Sequence, residues 1–191
     1  FNGEGLPTIL ERIRHLKEEA KVIVVCSAPL TTINGKKTSL TDVILSLGKN
    51  LANSDVSIDA VTETYSKILE MVSDDYKKEC SKKINDMLIL ASKSLEDAKA
   101  LGRFEDENRA KALAYSGEVL MSHVLNYVLK SNGIKSEPVS LDDWPIITDN
   151  NIESTNFVFA QSNEHTEKLE ELIKQNDVVS IGGFIGKTED G

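Results

Sequence analysis

Cysteine is scarce: Cys26 and Cys80 are the only two in 191 residues. They lie far apart, with neither metal-ligand spacing nor a second pair to build a disulfide framework, so a reducing, cytoplasmic compartment is the expectation. Arginine is scarce too, with four residues in all, and the formal charge is −9 with a pI near 4.9. Neutralising phosphates needs clustered Lys and Arg, so no nucleic-acid partner is expected. No run of about 18 apolar residues occurs, and therefore no membrane-spanning helix is expected. Phe1-Asn2-Gly3-Glu4-Gly5 has neither a basic n-region nor an apolar h-region and does not read as a signal peptide. Signatures of phosphate binding and nucleophilic catalysis are also missing: there is no GxxxxGK[ST], no GxGxxG, and no Ser-His-Asp or Cys-His arrangement. His15, His123 and His165 fall on separate helical segments without a carboxylate or cysteine at ligand spacing, so they read as structural or solvent-facing.

What is present is ordinary globular material, 40% apolar and 28% charged, with no internal repeat. Pro7 suits the first turn of a helix through Glu19, and Lys21 to Ser27 (KVIVVCS) reads as a buried, parallel-type strand. Ala28 to Ser39, with Pro29, Asn34-Gly35 and Lys36-Lys37, reads as a mobile turn segment, followed by a helix capped at Ser39 or Thr41. From Ser57 to Gly102 two apolar stripes, broken at Asp74-Asp75, predict a helical block with solvated opposite faces. Asn108 to Asn132 predicts one long helix, with Ser116-Gly117-Glu118 inside it. Ile134 to Leu141 and Asn156 to Ala160 read as strands, Glu164 to Lys174 as a helix, and Val178 to Gly186 as a strand that turns glycine-rich. The order predicts an α/β fold, an open three-layer sandwich with a mainly parallel sheet.

Ligands of such sheets gather at the carboxyl ends of the strands. Three loops qualify: Ser27 to Asp42, Ile147 to Ser154, and Gly182 to Gly191. Gly182-Gly183-Phe184-Ile185-Gly186 reads either as a backbone cradle for an anion or as a glycine-softened strand end. Thr41 and Asp42 read either as site residues or as helix caps. A glycine inside a helix costs about 1 kcal/mol relative to alanine, so Gly117 implies close approach of a backbone or a ligand, with the Glu118 carboxylate directly after it.

Taken in order, Val22 to Ala28 (VIVVCSA), Leu40-Thr41-Asp42, Ser116-Gly117-Glu118, Ile146-Ile147-Thr148-Asp149 and Ser180 to Gly186 (SIGGFIG) resemble the catalytic domain of aspartate kinases in the amino acid kinase family. The resemblance spans nearly the whole chain. It implies an open α/β sandwich and ATP-dependent phosphorylation of the β-carboxylate of L-aspartate, the first step of aspartate-family amino acid biosynthesis. Mg-ATP and a homodimer come with that implication. Carried over by position, Glu118 would contact the ammonium group of the amino acid. Ser27 and Thr41 would line the substrate cleft, and Phe184, Ile185 and Gly186 would form the substrate-side strand end.

The sequence departs from the family pattern at several points. No KFGGTS strand precedes Phe1, and no TTLGRGGSD loop follows Gly186. Ile152-Glu153-Ser154-Thr155 stand where an FGRA-type turn would place an arginine, and no arginine follows Arg109. The segment Pro29 to Ser39 is longer than its counterpart, and Asp177-Val178 lacks the usual proline. Residues 1–191 therefore read as an incomplete N-terminal part of a catalytic domain, inactive alone. Two alternatives stand beside it: a kinase acting on another amino acid such as glutamate, and a non-catalytic regulatory or scaffold protein with the same fold.

Overall fold

The computed structural model describes residues 5–51, 56–151 and 154–190. The expectations placed on Phe1 to Glu4, on Ile152-Glu153 and on Gly191 fall outside them. A parallel three-stranded sheet lies at the centre, in the order β1 (Val22–Cys26), β6 (Val178–Gly182), β4 (Ser136–Pro138). Strands β1 and β6 run in register from Val22 beside Val178 to Cys26 beside Gly182, so their carboxyl ends finish together.

Helices dominate the rest. Helix α1 (Leu6–Glu19) opens with Pro7 in its first turn, where a missing N–H costs nothing, and buries Leu6, Leu10 and Ile13. Helix α2 (Leu40–Lys49) is capped by Ser39, whose Oγ accepts from the Asp42 N–H (3.1 Å) and donates to Asp42 Oδ2 (2.8 Å). Thr41 is therefore not the cap. The helical block consists of α3 (Asp59–Leu69) and α4 (Asp74–Leu101), which ends at Gly102 in the left-handed conformation (φ 68°).

The stretch read as one long helix is two, α5 (Asp106–Ser116) and α6 (Glu118–Ser131), parted at Gly117. Helix α6 packs on the face of the sheet that carries Ser180 and Gly182, and Ser180 Oγ donates to the Ser122 carbonyl at 2.8 Å. Its Val119, Leu120, Val124, Val128 and Leu129 are fully buried, between the sheet and helices α4 and α5. Each such side chain contributes about 1.5–3 kcal/mol on leaving water, so α6 anchors the core.

Other expectations also change. Ala28 to Ser39 is a β-hairpin rather than an open turn segment: β2 (Leu30–Ile33) pairs antiparallel with β3 (Lys36–Ser39). Asn34 (φ 51°) and Gly35 (φ 77°) make the two-residue turn that a positive φ at both positions allows. The strand expected over Ile134 to Leu141 shortens to β4. Asn156 to Ala160 is not a strand; Phe157 makes one bridge to Thr148, and α7 (Phe159–Gln175) begins at Phe159. The strand expected to continue to Gly186 ends at Gly182, and β7 (Lys187–Thr188) pairs instead with β5 (Ile147–Thr148). Strand β1 is not buried on both faces, because Ile23 and Val25 are 46% and 65% exposed.

Candidate active site

The in-register ends of β1 and β6 bring three chain segments to one place. The first runs out of β1 through Cys26, Ser27 and Ala28. The second leaves β6 at Gly182-Gly183 and is tied to the first by the Gly183 N–H, which donates to the Cys26 carbonyl at 2.7 Å. The third is the α5–α6 junction at Ser116-Gly117-Glu118. A methyl group on Gly182 would sit 3.0 Å from the Glu118 carbonyl carbon, and one on Gly117 would sit 2.7 Å from the Leu113 carbonyl oxygen and 3.3 Å from Ala28 Cβ. Glycine at both positions is what lets strand end and helix start touch. The closeness inferred from Gly117 is there, but at a break between helices rather than in a helix interior.

Glu118 opens α6, where the helix N-terminus favours a carboxylate. It is nearly buried, at 9% exposure. Burial raises its pKa, while N–H groups of its own backbone and of Ala28, and the Thr41 hydroxyl, pull the other way by bonding the charged form. Thr41 Oγ1 donates to Glu118 Oε1 at 3.4 Å, joining α2 to α6. The result is a carboxylate held by three donors in a mostly dry setting, suited to pair one cationic group brought to it.

Of the residues singled out from sequence, Glu118 and Thr41 are bonded to each other. Ser27 is exposed at the end of β1, next to Ala28. Phe184 is fully exposed with a left-handed backbone (φ 61°). Ile185 and Gly186 belong to a different neighbourhood. The Ile185 carbonyl accepts from Trp144 Nε1–H at 3.0 Å, and Gly186 lies against the Thr148 side chain. Sequence reasoning passed over Tyr65, which sits on α3 in the block given no chemistry, and whose hydroxyl meets the Ser116 and Gly117 carbonyls at 3.0 Å each. It passed over Ala28 as well, whose contribution is a backbone N–H that no side-chain pattern reveals.

Two clefts lie away from these residues. One of about 620 Å³ runs between α4 and α5, lined by Leu90, Lys93, Leu101, Lys111 and Tyr115 among others. One of about 200 Å³ lies by Ser140, Asp143 and Lys168. Cys26 and Cys80 are buried free thiols, each pushed up to about 12 by burial, so neither is a nucleophile at neutral pH. Among the described residues no group of three His, Cys, Asp or Glu side chains comes together to hold a metal ion. No helix of the described residues is long and apolar enough to cross a membrane.

A model of the amino acid kinase family matches residues 2–191. The chain belongs to the amino acid kinase family. Its fold is similar to that of E. coli aspartokinase III in complex with aspartate and ADP in the R-state, with a TM-score of 0.72 and 16% identity over 95% of this chain and 38% of that one. The same enzyme in complex with lysine and aspartate in the T-state gives a TM-score of 0.71 and 16% identity over 95% of this chain and 39% of that one. This amino acid kinase chain thus spans about two fifths of the length of those structures. The agreement extends to the mixed α/β architecture with a parallel sheet.

Proposed function

We propose that this chain forms the amino-acid-holding part of an ATP-dependent kinase that phosphorylates a side-chain carboxylate, with the β-carboxylate of L-aspartate as the acceptor. The observation that carries the reading is Glu118. It is a nearly buried carboxylate that opens a helix at the carboxyl ends of two parallel strands, bonded by Thr41 and two backbone N–H groups. Such a group pairs an α-ammonium and fixes one end of a small amino acid, leaving its far carboxylate to be aimed at a phosphoryl donor. Phosphoryl transfer needs mainly positioning and charge stabilisation, so a rigid ammonium clamp is a fitting contribution. Ser27 and Phe184, which follow the ends of β1 and β6, are proposed to border the cleft, while Ile185 and Gly186, packed against Trp144 and Thr148, are not part of it. The nucleotide and its magnesium are proposed to be held by other parts of the protein, acting on the amino acid presented here. Glutamate and other amino acid acceptors remain within the reach of the same clamp.

The experiment is steady-state kinetics of the full-length protein with aspartate, glutamate and ATP. Glu118→Ala is expected to raise the amino acid KM by about 10- to 100-fold, the worth of one charge-assisted bond, with the ATP KM within about twofold. An unchanged amino acid KM removes the role given to Glu118. Residues 1–191 alone are expected to release no ADP from aspartate and ATP, and measurable release would overturn that. A second reading, a non-catalytic relative that keeps the fold, is favoured by Ile152-Glu153-Ser154-Thr155 standing where the family pattern has an arginine to clamp a substrate carboxylate. Aspartate-dependent ADP formation by the full-length protein would remove it.

A further inference from the structure

Tyr65 is the side chain through which the helical block meets the site. It lies on α3 with no exposure at all. A phenol so deeply buried needs a partner for its hydroxyl, because an unpaired one would carry its full desolvation cost. The partners are unusual in being consecutive: the carbonyls of Ser116 and Gly117, each 3.0 Å from the Tyr65 oxygen. A phenol has one hydrogen to donate, so the two carbonyls share it. These are the two peptide units directly ahead of Glu118. The Gly117 carbonyl also accepts from the Met121 N–H at 2.9 Å, which closes the first turn of α6. The hydroxyl thus sits where α5 stops and α6 starts, bonded to both sides of the break.

Glu118 is consequently gripped from two directions. Gly182 presses on its backbone from the sheet side, and Tyr65 holds the two residues ahead of it from the helical block. Burial and the nearby Glu118 charge both raise the Tyr65 pKa, so the phenol remains a donor across the working pH range. Thr41 approaches the carboxylate itself from α2, so the end of the side chain is set separately from its base.

We propose that Tyr65 is a positioning residue for Glu118: by sharing its hydroxyl proton between the Ser116 and Gly117 carbonyls, it fixes the direction in which α6 begins and hence where the ammonium-pairing carboxylate points. The inference rests on the reading of Glu118 as the amino acid clamp.

The test compares the full-length wild type with Tyr65→Phe, Glu118→Gln and the double variant, each checked for folding by circular dichroism. Tyr65→Phe removes only the hydroxyl. It is expected to raise the amino acid KM by about five- to tenfold, with the ATP KM unchanged. In the Glu118→Gln background the same change is expected to add less than about twofold, because a residue acting through Glu118 has nothing left to position. Replacement of Tyr65 by 4-aminophenylalanine, which returns a donor, should recover most of the loss. Equal KM factors in both backgrounds, or a parallel rise in the ATP KM, would show a purely structural role and overturn the inference while leaving Glu118 in place. A wild type that no amino acid saturates would sink the reading of Glu118 and this inference with it. Should Tyr65→Phe fail to fold, 3-fluorotyrosine at position 65 keeps the phenol. Its fluorine resonance should shift on amino acid binding in the wild type and stay put in Glu118→Gln; no shift in the wild type would overturn the proposal.

Discussion

Glu118 and His123 lie one turn and a half apart on α6 and titrate in opposite senses. Burial raises the Glu118 carboxyl above its ordinary value of 4.5, so the folded protein keeps a proton that the unfolded chain gives up. That contribution to stability is complete below about pH 4.5 and is lost as pH rises through the raised value. Glu118→Gln keeps the shape without the charge, and should therefore match wild type near pH 4 and exceed it in stability at neutral pH. Urea titrations at several pH values would show it; a constant difference across pH would contradict the buried-charge account. For His123, burial and the neighbouring Lys83 charge lower the pKa from 6.5 to about 4. Its contribution is present above pH 6.5 and is lost as pH falls through 4, so His123→Phe should flatten the acid limb of the stability curve in that interval. Both variants bear on one helix, yet they move opposite limbs.

At the scale of elements, the contact between β6 and α6 decides where Glu118 stands. Gly182→Ala places a methyl group 3.0 Å from backbone, which cannot swing aside as a side chain can. A loss of about 1–3 kcal/mol in chemical denaturation is expected, with a higher amino acid KM in the full-length protein. Gly35→Ala in the hairpin turn (φ 77°) should cost about 1 kcal/mol without touching amino acid binding, since that turn is exposed and makes none of the bonds that hold the Glu118 carboxylate. These elements also show what could be read in advance. The α2 cap, the α3–α4 break and the β1 and β6 strands announce themselves through caps and apolar runs, and the ordered motifs led to the right family. The split at Gly117 did not, because α5 and α6 keep compatible apolar spacing on either side and only the press of Leu113, Ala28 and Gly182 reveals a break. The hairpin was hidden for another reason: its Thr and Lys residues are half-buried or exposed, so no apolar alternation marks two strands around Asn34-Gly35. Phe157 and Phe159 alternate as a strand would, but their rings stack edge to face at 6.3 Å on the surface while α7 takes over the backbone. Tyr65 and the Ala28 N–H were illegible because each bond has a backbone group at one end and joins segments far apart in the chain.

Across the whole molecule, the core links the helical block to the sheet through α6, and one indole reports on the region beside β5 and β7. Trp144, the single tryptophan, is fully buried and bonded to the Ile185 carbonyl. Its emission should be blue-shifted in the folded protein and move red in one step with the loss of helical circular dichroism; two separate steps would mean that the β5–β7 region melts independently of the helices. Strand β1 stands at one end of the three-stranded order with Ile23 and Val25 turned outward. An apolar, exposed end strand is a template for pairing with another chain, so residues 1–191 handled as a separate polypeptide should self-associate as concentration rises. A lysine at Val25 offers a gatekeeper against that: it adds charge on the outward face, away from Glu118, and ought to keep light scattering low at concentrations where the unaltered polypeptide turns cloudy.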